Sequence, residues 1–95
     1  MSERLWEPYL NPEELAKVLA FETTIKGLRE KRRELARQKH NALEVWDRRA
    51  AAEFSERIAS LDRHKRALCA ERQVIVNRGS ARRQADMKRA KDAAA

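Results

Sequence analysis

Between Glu13 and Asn77 the chain contains no proline and one glycine, Gly27. Proline breaks a helix interior, and Gly27 costs only about 1 kcal/mol of helix propensity relative to alanine. A stretch this long without a breaker favours helix, so the apolar positions within it decide how it packs. In its first half they fall at Val18, Phe21, Ile25, Leu28 and Leu35. In the second half they fall at Phe54, Ile58, Leu61, Leu68 and Ile75. Each set alternates by three and four, the spacing of a heptad seam. The two sets are out of phase. Leu43, Trp46, Ala50, Phe54 and Ile58 run at spacings of 3, 4, 4 and 4. Either one helix carries a stutter there or two helices meet.

The pattern predicts an all-α fold of long amphipathic helices. The favoured form is a helical hairpin or coiled coil, with helices over Glu13–Lys39 and Ala42–Asn77 and a turn near Lys39-His40-Asn41. Folding about residue 41 sets Leu28 against Phe54, Ile25 against Ile58, Phe21 against Leu61 and Leu15 against Leu68. The alternative is one continuous helix, about 100 Å long at 1.5 Å per residue. The hairpin gains from the N-terminal segment. Trp6 and Tyr9 would then cover Val74, Ile75 and Val76, a triplet too wide for a narrow seam.

Three segments follow. Residues 1–11 form an extended aromatic arm in which Pro8 and Pro12 oppose helix. Residues 12–78 form the hairpin. Asn11 is placed to cap it, Pro12 suits the first helical position, and Glu13 and Glu14 complement the helix dipole. Residues 79–95 form a basic tail. Gly79 reads as a stop and Ser80 as the cap of a short last helix, Ala81 to about Asp92, before Ala93–Ala95 fray. Opposite charges four apart support the helices at Glu13/Lys17, Glu22/Lys26, Glu44/Arg48, Glu53/Arg57 and Asp62/Arg66, each worth a few tenths of a kcal/mol, about 0.2–0.5.

Charged residues make up 39% of the 95 positions and aromatics 5%. So polar a chain buries little, and the seam itself is interrupted by Arg32, Lys39, Lys65 and Arg72, whose stems can cover apolar surface while their heads reach water. A partner, either a second copy or a larger protein assembly, is expected to complete the core. The net charge of +7 favours anionic partners. No apolar run approaches the roughly 20 residues of a membrane span, so no membrane insertion is expected. The segment beginning Met1-Ser2-Glu3-Arg4 resembles neither a signal peptide nor a typical transit peptide, and the single cysteine, Cys69, permits no internal disulfide. An intracellular location is expected.

Chemistry is poorly supported. His40 and His64 stand far apart, with no CxxC, HxxxH or HExxH spacing, so no metal is expected. Cys69 adjoins seam residue Leu68 and reads as a packed thiol. No serine or threonine sits in an activating motif, and there is no glycine-rich phosphate loop. No catalytic residue, cofactor or small-molecule substrate is expected, and the chain is not read as an enzyme.

Binding candidates remain. Trp6, Tyr9, Leu10, Trp46, Val74 and Val76 are candidate protein-interface residues, because Trp and Tyr are typical anchors. Arg29, Lys31, Arg32, Arg33 and Arg37 form one candidate anion or nucleic-acid contact near the hairpin tip. Arg82, Arg83, Lys88, Arg89 and Lys91 form a second in the tail. No aromatic residues interleave with these cations, so any nucleic-acid contact would be to phosphate, sequence-tolerant and salt-dependent. Ribonucleoprotein subunits, viral scaffolding proteins, filament-associated proteins and helical inhibitors share this composition, though no motif carries residues over. The expected function is a non-catalytic structural or adaptor subunit. It would dock by its apolar helix face and arm into a larger assembly, such as a ribonucleoprotein or viral one. The alternative is a sequence-tolerant nucleic-acid-binding protein; a small helical inhibitor is a third reading.

Overall fold

A computed structural model describes residues 4–94; the arm's Met1–Glu3, on which the signal-peptide expectation rests in part, and the tail's Ala95 lie outside the described residues. After a short 3-10 turn at Glu7–Tyr9, helix α1 spans Pro12–Glu44 and helix α2 spans Arg48–Ala94. The two helices lie antiparallel as a hairpin 70 Å long and 24 × 21 Å across.

α1 begins as its sequence dictates. The Asn11 side-chain oxygen accepts from the Glu14 backbone N–H at 2.8 Å, and the Glu14 carboxylate accepts from the Asn11 N–H at 3.1 Å. This reciprocal capping box satisfies two of the donors that a helix start leaves open.

The turn is not at residues 39–41. α1 continues to Glu44, and only Val45, Trp46 and Asp47 connect it to α2. The Asp47 N–H donates to the Ala42 carbonyl at 2.9 Å and the Trp46 N–H to the Leu43 carbonyl at 3.1 Å. These are the two bonds of a Schellman motif, which needs a left-handed residue between the helix end and its exit. Trp46 takes that position, at φ 60°. Glycine or asparagine is usual there, so nothing in the sequence flags the turn. Asp47 then starts α2, its carboxylate accepting from the Ala50 N–H at 3.0 Å. The phase slip around Trp46 is therefore a junction between two helices, and the single long helix does not form.

Moving the turn shifts the register. Phe21 packs against the cluster of Val18, Ile75 and Val76, not against Leu61. The seam residues themselves are those of the heptad reading, now paired about residues 47 and 48. Two of the four interrupting cations find carboxylates across the hairpin: Arg72 donates to Glu22 at 3.0 Å and Arg32 to Asp62 at 2.9 Å. Long-range pairing displaces most of the expected local ladder. Of its five pairs only Glu13–Lys17 forms, at 3.8 Å; Glu44 instead bonds His40, and Glu53 meets Arg49.

α2 does not stop at Gly79, and there is no separate tail helix. Residues 79–94 continue it without a break. Gly79 has another use. A Cβ there would lie 2.8 Å from the Trp6 carbonyl oxygen and 3.0 Å from a Leu10 methyl carbon. The missing side chain lets the arm lie directly on the helix backbone.

The core is uneven. Among the described residues Val18 alone of the large side chains is fully buried, and it sits with Ile75 and Val76 under Trp6, Leu10 and Phe21. Ile25, Leu28, Ala42 and Ala51 are buried further along. Leu35, Phe54, Ile58, Leu61 and Leu68 are only half-buried. Two helices present one contact line to each other and cannot enclose a side chain from all directions, so the arm-covered end is the best-packed part.

Candidate docking surface

The arm residues proposed as interface anchors are largely used within the chain. Trp6 and Leu10 pack on the Val18 cluster, and Val76 is buried in it. Two guanidiniums flank the Trp6 ring, Arg4 at 5.6 Å and Arg72 at 5.8 Å from its centroid. Glu22 ties them together. It accepts two bonds of 2.7 Å from Arg4 and one of 3.0 Å from Arg72, and these hold its carboxyl below the ordinary range, chiefly through Arg4. Tyr9 donates its hydroxyl to Asp86 at 3.1 Å, a bond that pushes the phenol pKa up. Trp6 thus covers the Ile75 and Val76 cluster, as the hairpin requires, but its companion there is Leu10, while Tyr9 reaches on to Asp86 and Val74 remains 52% exposed.

The cationic candidates divide. Arg82 is committed: it donates to Glu14 at 2.6 and 3.2 Å and to the Tyr9 carbonyl at 2.9 Å. Its hydrogen bond lowers the Glu14 carboxyl pKa and raises its own. Arg32 is held by Asp62, and Arg37 by Glu34 within one helical turn. Arg29, Lys31, Arg33, Lys88, Arg89 and Lys91 are exposed and make no ion pair among the described residues, whereas Arg83 is half-buried. The two basic groups are not brought together. Arg29–Arg37 lie in the distal half of α1, while Lys88–Lys91 lie in the final turns of α2.

Trp46 is the interface candidate most strongly exposed, at 79%. Val45 beside it is 73% exposed and Leu43 48%. The hairpin tip is therefore an apolar knob. Leu43 and Val45 had no sequence signal of their own, because their exposure depends on where the turn falls.

The two flanks of the seam also differ. The arm lies on one of them, against Val76, Gly79 and Glu22. The opposite flank is open. One groove there is floored by Leu35 and Leu61 and edged by Lys31, Gln38, Arg57 and Ser60, with one carboxylate, Glu34, which is engaged by Arg37 and Gln38. Another, nearer the open end, is lined by Phe21, Val74 and Ile75 with Lys17, Glu71 and Arg78. The residue immediately before each a position of the heptad edges this flank: Lys17, Thr24, Lys31 and Gln38 on α1, and Arg57, His64, Glu71 and Arg78 on α2. Four cations stand there against Glu71, and Glu34 lines the first groove beside them. In the sequence Lys17 and Arg57 read as partners in local ion pairs and His64 as a lone histidine; none but Lys31 reads as a binding residue, since which flank stays open depends on where the arm lies.

Among the described residues no group of three or more His, Cys, Asp or Glu is arranged to hold a metal ion, and no helix is long and apolar enough to cross a membrane. Cys69 is half-buried on the arm's side of the seam. No protein-family model, curated protein or solved structure matches this chain.

Proposed function

We propose that the chain is a non-catalytic structural or adaptor subunit that docks into a larger protein assembly. It would use its hairpin tip and the open apolar face of its helices. The observation that carries this reading is Trp46. A tryptophan in the left-handed region costs about 1–2 kcal/mol, which glycine would avoid. Exposing the ring forgoes the roughly 1.5–3 kcal/mol that burying a large apolar side chain supplies. Trp46 is therefore a poor choice for the isolated hairpin on two counts, and a good one for an interface anchor. Leu43, Val45 and Val74 extend the exposed apolar surface. The arm, expected to dock outward, supports the reading differently, by fixing the open end of the hairpin.

The test is size-exclusion of a tagged chain from its native source. The expected result is elution well ahead of the purified free chain, whose 70 Å length already makes it run larger than its 11.1 kDa. A Trp46→Ser variant that melts normally should shift to the free position. Migration of the unsubstituted chain as a free monomer would overturn the proposal.

A second reading, contact with nucleic-acid phosphate, draws on Lys88, Arg89 and Lys91, which stand exposed on the last turns of α2. Its mark would be a steep fall in affinity for duplex DNA or RNA as salt rises.

A further inference from the structure

We infer that the open flank of the hairpin receives an amphipathic helix whose apolar stripe is edged by carboxylates, completing a three-helix bundle. The inference rests on the docking reading above and names the partner's chemistry.

The groove floor sets the first requirement. Leu35 and Leu61 are half-buried in the hairpin and turn their remaining surface into the groove. An apolar helix stripe laid along it would bury that surface, the usual mode by which a helix enters a groove. A heptad seam on two helices is only partly enclosed, and a third helix encloses the remainder.

The groove edge sets the second requirement. Lys31 and Arg57 face each other across the floor and make no ion pair among the described residues. Arg57 lies over the Phe54 ring, 5.7 Å from its centroid, so its charge is held beside the seam. Further along, Lys17 and Arg78 stand 3.8 and 3.9 Å from Glu13 and Glu14. Residues flanking an apolar seam select a partner by charge. This edge selects carboxylates.

The same edge argues against a second copy of the chain. Copies joined groove to groove by a two-fold axis would bring two Lys31–Arg57 pairs into one interface with only the Glu34 of each to oppose them, and the surplus of like charge costs affinity. A nucleic acid would satisfy the cations and leave the apolar floor uncovered.

The test uses the full chain and a fluorescein-labelled designed peptide of about 28 residues, ~42 Å of helix, with leucine at a and d and glutamate at e and g. A sister peptide carries lysine in place of glutamate. The acidic peptide is expected to bind at low salt, and the basic one not to. Lys31→Glu with Arg57→Glu should weaken binding about tenfold or more. Arg29→Glu with Arg66→Glu changes the net charge equally on the arm's side and should leave affinity within about twofold. Matching thermal melts show that both double variants fold. Failure of the acidic peptide to bind, equal binding of both peptides, or equal loss in both double variants would overturn the inference. If the chain migrates in a large particle and the peptide fails, docking stands and the acid-edged helix falls. If the peptide binds the groove while the chain migrates free in its source, the docking reading falls instead.

Discussion

The α2 backbone at Gly79 lies directly beneath Trp6, so close that a Cβ at Gly79 would stand 2.8 Å from the Trp6 carbonyl oxygen. The clashing atom is backbone, so no rotamer change relieves it. Gly79→Ala is expected to lift the arm off α2. Overpacking of this kind costs about 1–3 kcal/mol, against a helix-propensity gain of about 1 kcal/mol. In a Trp46→Phe background, where Trp6 is the sole tryptophan, the fluorescence emission should move to longer wavelength and the melting temperature should fall or stay level.

Glu14 performs two tasks at once: it caps α1 and grips Arg82 on α2. Its carboxyl pKa is lowered, first by the Arg82 hydrogen bond and then by the Asn11 backbone N–H. A carboxyl with a depressed folded-state pKa stabilises the fold above its unfolded value, about 4.3, and loses that contribution as pH falls through the folded value. Glu22 shifts the same way, for the same reason. Melting temperature should therefore fall as pH drops below about 5 and hold steady from there to neutrality. Glu14→Gln keeps a side-chain oxygen for the capping box but removes the charge. It should melt lower than the parent at pH 7, with the gap narrowing in acid. A pH series of circular-dichroism melts on both proteins checks this.

Trp46→Gly should stabilise the isolated chain. It removes the left-handed penalty of about 1–2 kcal/mol and gives up little packing, because the ring is 79% exposed. Urea denaturation should show a higher midpoint with an unchanged slope. The same variant should fail to join the assembly. Stability gained where docking is lost would mark Trp46 as an interface residue.

Gly27 offers a contrast with Gly79. Nothing lies within 4 Å of a Cβ placed on it, and its backbone is ordinary helix. Gly27→Ala should raise stability by about 0.5–1 kcal/mol, measured by the same denaturation.

The all-α hairpin was legible because heptad spacing survives in both halves, and Asn11, Pro12 and Glu14 spell out the start of α1. The turn was not legible. It rests on two backbone hydrogen bonds and a left-handed tryptophan, and tryptophan carries no turn signal. The two missed positions share that cause: with the turn placed at residue 41, Leu43 and Val45 count as helix interior. Gly79 was misread because a glycine that ends a helix and one that admits a neighbouring backbone look alike in sequence. The anchors Glu14 and Glu22 were read as local charges. A carboxylate in or beside an apolar stripe, with an arginine in the opposing stripe, was the available clue. The open flank could be identified only after the arm was placed.

Site-specific photo-crosslinking in the native source tests the docking proposal most directly. Benzoylphenylalanine at Trp46, at Leu61 on the groove floor, and at Arg66 on the arm's side would compare the three surfaces. The expected result is a covalent adduct to a second protein from positions 46 and 61, with little from 66. Equal adducts from all three positions, or none from 46 and 61, would contradict it.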